Sequence, residues 1–291
     1  TSPEQFQQEF ECEFLGSVDT LISASKIKQM PFIKPIKSNA GLDVYEEAKK
    51  GRTYITCVDV ARGVEKDYSA FIILDVSQMP YKVVAKYRSN EIKPILFPHM
   101  IARASKAYNE SHVLIEVNDI GQQISEILHM EIEYPNILMT TQRGRAGQIL
   151  GAQFSGRGTS LGVRMTKQIK KIGCSNIKTL IETDKLITND FHIIEEMSTF
   201  ARRGNSWMAE EGCNDDLMMC LVIFGWLSNQ AFFKELTNTN ARQMLYEEQA
   251  KLIEADMAPF GFVDDGIVSP EEQPFSDEYG TVWHPVVRKG E

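Results

Sequence analysis

The chain predicts an α/β protein, a mixed sheet flanked by helices. Three features carry that expectation: short β-branched runs bounded by turn residues, apolar stripes at helical spacing, and an alternation of the two after three closely spaced strands. The predicted strands are Tyr54 to Val60, Ala70 to Val76, Lys82 to Tyr87 and Val113 to Val117. Phe97 to Tyr108, Gly121 to Met130, Phe191 to Phe200 and Asp215 to Asn229 repeat their apolar residues with a helical period. A Lys-bearing helix is expected over Thr166 to Ile172, and a weaker one over Ala241 to Ile253. Upstream, Ser2 to Phe6 places Ser at a cap and Pro at the first helical position, and the Pro- and Lys-rich stretch Met30 to Asn39 reads as loop. The expected organisation is a connector over 1–51, a main domain over 52–234 and an acidic tail over 235–291.

With 291 residues, 43% hydrophobic and 24% charged, the chain has the composition of a protein that buries a core rather than a disordered one. No run approaches the roughly 18 apolar residues of a membrane crossing, so no membrane association is expected. The five cysteines, Cys12, Cys57, Cys174, Cys213 and Cys220, are odd in number and contain no CxxC pair, which argues against a disulfide framework and a cysteine zinc site and for a reducing setting. The abrupt start without Met is expected to mark a piece of a longer protein. No internal repeat is visible.

A net charge of −9 argues against a nucleic-acid partner only as a whole-chain number. Glu235 to Glu291 holds twelve acids against four bases, so most of the negative charge lies in the tail. Asn136 to Lys178 holds eight bases and no Asp or Glu. These are Arg143, Arg145, Arg157, Arg164, Lys167, Lys170, Lys171 and Lys178, interspersed with glycines in a loop or hairpin that leads into the Lys-rich helix. A solvated face is the ordinary reading of a charge run. A stretch this long without an acid also fits six to eight salt-sensitive contacts to phosphates. Phe154 is its only aromatic, which favours backbone contact with a duplex over stacking on single-stranded bases.

Three groups of acids stand at element ends. Asp59 closes the apolar strand Tyr54 to Val60, and Glu116 follows Val113-Leu114-Ile115 in the same way. An ionised carboxylate at such a place needs a partner, and the crevice at strand ends of an α/β sheet is where ligands bind. Either acid alone also fits a turn cap. Asp215 and Asp216 precede the apolar run Leu217 to Trp226, where Asn214 is the expected N-cap and the two aspartates complement the helix dipole. If Asp216 or Asp215 instead meets Asp59 and Glu116, the gathered carboxylates suit Mg²⁺ or Mn²⁺ rather than zinc. Two such ions about 3.5–4 Å apart could activate water and stabilise the leaving oxygen of a phosphodiester. The five histidines show no HxxxH spacing and give little support for other chemistry, and neither a GxSxG elbow nor a GxxxxGK[ST] loop occurs, so no nucleophile-elbow serine hydrolase or P-loop ATPase is expected.

Taken together, Ser2-Pro3-Glu4-Gln5-Phe6, the stretch Phe14 to Ser23, Val58-Asp59, Ile115-Glu116, Gly173-Cys174-Ser175, Glu210-Glu211-Gly212, Asp215-Asp216-Leu217 and Phe224-Gly225-Trp226 resemble the C-terminal nuclease half of the large terminase subunit of T-even-like tailed bacteriophages. The resemblance implies a ribonuclease H-like fold and a Mg²⁺-dependent endonuclease, with Mn²⁺ as substitute, that cuts concatemeric double-stranded DNA largely without sequence preference during headful packaging. It implies Asp59, Glu116 and Asp216 as catalytic metal ligands, with Asp215 beside them. It further implies an N-terminal ATPase domain, the portal protein and the small terminase subunit as partners, in the cytoplasm of an infected bacterium at the procapsid portal. The chain departs from the pattern in carrying Asn214 where relatives often have His, and in a longer Arg/Gly loop over 142–162. The main alternative is a non-catalytic module that docks DNA and portal. An actin-like or sugar-kinase ATPase would need a second Asp-x-Gly phosphate motif and a Gly-rich adenosine site, and neither is found. The acidic tail is expected either to mimic phosphate over the basic strip or to contact the portal.

Overall fold

The computed structural model describes residues 19–60, 68–141, 147–149, 159–256, 275–277 and 279–283. Two compact units are distinguished, Thr1–Gln243 and Met244–Glu291. In the first, helix α1 (Ala24–Gln29) precedes the hairpin β1 (Lys37–Asn39) and β2 (Leu42–Val44), and then come β3 (Tyr54–Asp59), β4 (Ser69–Asp75) and β5 (Tyr81–Ser89). Helix α2 (Phe97–Ala107) leads to β6 (His112–Ile115), and α3 (Asp119–Glu126) continues into a π-helical turn, Ile127–Glu131. Strands β7 (Met139–Thr141), β8 (Gln148–Ile149) and β9 (Thr159–Leu161) form a small sheet with β7 in the middle. Helix α4 (Lys167–Glu182), strand β10 (Leu186–Ile187), helix α5 (Phe191–Thr199), the hairpin β11 (Phe200–Arg203) and β12 (Ser206–Ala209), and helix α6 (Asp216–Leu227) follow. Helix α7 (Ala231–Asp256) begins in this unit, and the second unit holds a short hairpin, β13 (Phe275–Ser276) and β14 (Val282–Trp283). No single helix among the described residues is long and apolar enough to cross a membrane.

The main sheet runs β1-β2-β5-β4-β3-β6, with β10 added in parallel to β5. Its pairs are antiparallel up to β3, and β3 and β6 are parallel. This is the expected mixed sheet, and both its faces are covered. Period-two alternation assigns the faces: Ile55 and Cys57 join the core under α4, α5 and α6, whereas Tyr54 and Val58 join the core around α2. Leu114 belongs to the first face and Val113 and Ile115 to the second. By the same alternation Asp59 and Glu116 fall on the α6 face.

Helix α6 is apolar all round, and every residue from Leu217 to Leu227 is buried. A helix of this composition must be enclosed, and here the sheet, α4 and α5 enclose it. Glycines set how closely α4 approaches. A Cβ on Gly173 would lie 2.3 Å from the Val222 carbonyl oxygen, and one on Gly225 would lie 2.4 Å from the Gly173 carbonyl oxygen. The two backbones therefore touch.

The expected strands and main helices are present with ends shifted by a few residues. Three segments differ. Lys37–Asn39 lies in the stretch expected to be loop, and the β1-β2 hairpin extends the sheet by pairing Leu42 with Tyr87, while Leu21, Ile22 and Ile27 enter the core. Helix α4 continues ten residues past Ile172, because Ile177 and Ile181 extend its buried stripe. Helix α7 starts at Ala231 rather than Ala241, anchored by Phe233 in the core. The helix expected over Ser2 to Phe6 lies outside the described residues.

Gly225→Ala separates close packing from helix propensity. Propensity alone would stabilise the variant by about 1 kcal/mol. The backbone contact instead predicts a loss of about 1–3 kcal/mol, read as a lower denaturant midpoint.

Candidate metal centre and basic face

Strands β3 and β6 pair in parallel with Val58 opposite Ile115, and the Glu116 amide donates to the Val58 carbonyl at 2.9 Å. Asp59 and Glu116 therefore leave adjacent strand ends on the same face, close enough for Glu116 to act on the Asp59 carboxyl. Burial pushes the Asp59 carboxyl well above the usual range, and the nearby charges of Glu116, Asp216 and Asp215 push it the same way. The charges of the other three acids singled out in the sequence thus all reach Asp59.

The start of α6 differs from expectation. Asp215, not Asn214, is the N-cap residue: its carbonyl accepts the Met219 amide at 2.7 Å, and its side chain makes no capping hydrogen bond. Asp215 Oδ2 accepts instead from the Ala209 amide of β12 at 3.3 Å. The capping bond comes from another helix, as Glu196 Oε2 on α5 accepts the Met218 amide at 2.9 Å. Arg88 Nη2 lies 3.5 Å from Glu196 Oε1 and its guanidinium sits 4.1 Å from the centre of the Tyr68 ring. Burial raises Glu196 to about 8, Arg88 and the Met218 amide oppose the rise, and Asp216 and Asp215 add to it. The cap thus comes from the tertiary fold, and Asp216 sits where its charge acts on Asp59.

Asp59, Glu116, Asp216 and Asp215 offer only carboxylate oxygens, hard donors that fit Mg²⁺ or Mn²⁺. A cation would offset the repulsion that Glu116, Asp216 and Asp215 exert on Asp59. The three main acids are not drawn onto a single point. Among the described residues the group whose ligand atoms all lie within 4.8 Å of one another is a different one, Asp43, Asp190 and His192. There the cation is already part of the chain. Lys86 Nζ is 3.0 Å from Asp43 Oδ2, 3.6 Å from Asp190 Oδ2 and 3.0 Å from His192 Nδ1. Lysine has only donors, so His192 Nδ1 accepts, and burial followed by the Lys86 charge lowers the His192 pKa. The Tyr45 hydroxyl donates to Asp190. This second cluster is a filled ion-pair network.

Of the basic residues, Lys167, Lys170 and Lys171 lie on the first turns of α4, whose N-cap Thr166 accepts the Ile169 amide through its side chain. Arg164 is exposed just ahead of them. Arg143, Arg145 and Arg157 lie outside the described residues. Two groups escaped the sequence reading. Glu196 looked like an ordinary helix carboxylate, although it falls on the buried stripe with Ile193 and Met197. Arg202 and Trp207 flank Gly204-Asn205, a hairpin dipeptide that signals the β11-β12 turn.

Asp59→Asn should raise the thermal midpoint of the metal-free protein at neutral pH, by about 2–4 °C for each kcal/mol of relieved repulsion. Added Mg²⁺ should stabilise the wild type more than the variant. For Glu196 the raised pKa fixes the sign. Between about 4.5 and 8 the unfolded chain has lost the proton that the folded chain keeps, so stability falls as pH rises and levels off above 8. Glu196→Gln retains an acceptor for the Met218 amide. Its stability relative to wild type should grow across that window by roughly 1 kcal/mol per pH unit and then hold constant, as measured by denaturant titration.

Comparison with known structures agrees with this architecture. The large terminase nuclease from thermophilic phage G20c is similar over 73% of this chain and 100% of its own, at 17% identity and a TM-score of 0.54. The same nuclease with bound magnesium and with bound cobalt is similar over 72% of this chain and 97% of its own, at 18% identity and TM-scores of 0.54. At these identities the likeness concerns the fold, a mixed sheet flanked by helices. Residues 56–236 match the family described as Terminase RNaseH-like domain, a span that covers the sheet from β3 onward, the gathered acids and α6. This chain therefore belongs to the terminase RNase H-like domain family.

Proposed function

We propose that the chain is a divalent-metal-dependent DNA endonuclease of a terminase large subunit, and that Asp59, Glu116 and Asp216, with Asp215 beside them, hold the metal. The observation that carries this reading is the placement of Asp59 and Glu116 at adjacent strand ends within reach of the charges of the α6 aspartates. Bound there, Mg²⁺ or Mn²⁺ supplies Lewis-acid charge to a phosphate and acidifies water for attack on phosphorus, and two ions would serve the attacking and leaving oxygens separately. The chain's own part is positional. The parallel β3-β6 pair carries Asp59 and Glu116 to one face, while Glu196 holds the first turn of α6, which carries Asp216. The lysines at the start of α4 grip flanking phosphates without reading bases, which favours cutting with little sequence preference.

The finer reading follows the resemblance to T-even-like phages. In it, residues 1–51 lead in from an ATPase half, 52–234 form the nuclease and 235–291 are an acidic tail. The substrate is concatemeric viral double-stranded DNA, cut during headful packaging at the procapsid portal in the infected bacterium's cytoplasm. Portal protein and small terminase subunit are the partners. The G20c nuclease structures with bound magnesium and cobalt support a divalent ion here, and Mg²⁺ as the working ion follows the resemblance.

The test is plasmid cleavage. Nicked and linear products should form with Mg²⁺ or Mn²⁺, disappear in excess EDTA, and fall below detection in Asp59→Asn while its circular dichroism stays that of the wild type. Cleavage that survives EDTA would overturn the proposal. DNA binding without cleavage under any divalent ion would favour the docking-module reading.

A further inference from the structure

The basic face is not a flat stripe. Lys167, Lys170 and Lys171 of α4 and Arg202, Asn205, Ser206 and Trp207 of the β11-β12 hairpin line a cavity of about 370 Å³. No acid lines it. Its volume falls at the lower end of the roughly 300–1,000 Å³ usual for small-ligand clefts, which admits one nucleotide unit and excludes a duplex. Lys170 is held at the foot of the hairpin, its ammonium 5.6 Å from the centre of the Phe200 ring. Arg202 and Trp207 are direct cross-strand partners, so the guanidinium and the indole share one face of the hairpin. Four cations would suffice to hold phosphate. The indole, packed against the core yet lining the cavity, adds a flat apolar surface that phosphate alone does not need.

The cavity lies beside the gathered acids. Two residues beyond Trp207, the Ala209 amide donates to Asp215 Oδ2 at 3.3 Å. Burial raises the Cys174 thiol, and Lys170 and Asp215 both act on it with opposite sign, so the two charges share a neighbour. A strand with one phosphate at the carboxylates would carry a neighbouring nucleotide to the hairpin.

We infer that this cavity holds one unstacked nucleotide of the DNA strand beside the cut, with its phosphate on Lys167, Lys170, Lys171 and Arg202 and its base against Trp207. The inference rests on the nuclease reading and narrows its substrate, since a base can reach Trp207 only where the duplex is frayed, mismatched or single-stranded. Backbone contact alone, the expectation from a basic strip with Phe154 as its only aromatic, omitted the Trp that folding brings in from the hairpin. An acidic peptide is the competing ligand for the same charges, and it has no base to stack.

Binding is measured on the wild-type protein in EDTA, where no cleavage is expected, with a short single-stranded oligonucleotide, the blunt duplex of the same length and polyglutamate of matched charge as probes. The single strand should quench tryptophan emission saturably. Trp207→Leu should abolish that quench and weaken single-strand binding by roughly 5- to 150-fold, the span for loss of one base-aromatic stack. Trp207→Phe should recover most of the affinity, which distinguishes a lost stack from a damaged hairpin. Lys170→Ala/Lys171→Ala should weaken all three probes and lower the salt dependence. Unchanged single-strand affinity in Trp207→Leu, or equal quenching by polyglutamate, would overturn the inference. With Mg²⁺-dependent plasmid cleavage measured in parallel, the two proposals separate. Cleavage without a Trp207 effect removes the nucleotide pocket alone. A Trp207-dependent quench without metal-dependent cleavage leaves a nucleotide site and removes the nuclease.

Discussion

Helix α6 has no polar side to turn toward water, and the rest of the fold is arranged around that constraint. From Leu217 to Leu227 every residue is buried, so the sheet must lie on one side of it and other helices on the rest. Enclosure forces the α4-α6 contact at Gly173 and Gly225. It also places the helix start, with its two aspartates, over the ends of β3 and β6. The acids meet because an apolar helix has only one place to go.

Two clusters of acids lie largely half-buried against the same sheet and are neutralised differently. At Asp43 and Asp190 the chain supplies its own cation, Lys86, which also donates a hydrogen bond to His192 Nδ1. At Asp59 the charged neighbours Glu116, Asp216 and Asp215 are other acids, and each pushes the carboxyl further up. The first arrangement is complete without a ligand. The second is relieved by a divalent ion, which is the physical content of the metal-centre proposal. Its rigidity comes from behind, where Glu196 and Arg88 secure the first turn of α6.

The Gly173–Gly225 crossing has a second consequence, since it ties the helix that carries the lysines to the helix that carries the aspartates. Cationic and anionic halves of the site are thus built on two helices in backbone contact. The β11-β12 hairpin closes the remaining side, one strand engaging Asp215 and its tip facing the lysines.

The strands, the main helices and the individual acids were legible in the sequence, because apolar periodicity and element-end carboxylates are local patterns. Alternation in β3 and β6 also put Asp59 and Glu116 in step with Cys57 and Leu114, yet strands buried on both faces do not reveal which face carries α6. Local pattern misjudged the cap of α6, where Asn214 is the natural candidate and a glutamate from another helix performs the role. It missed Arg202 and Trp207, which reach the lysines only through the fold. By itself the sequence determined the α/β class, the elements and the residues able to carry charge. Tertiary structure alone decided which charges meet, because burial and mutual distance, which shift the pKa of Asp59 and Glu196, are properties of packed elements and not of neighbours along the chain.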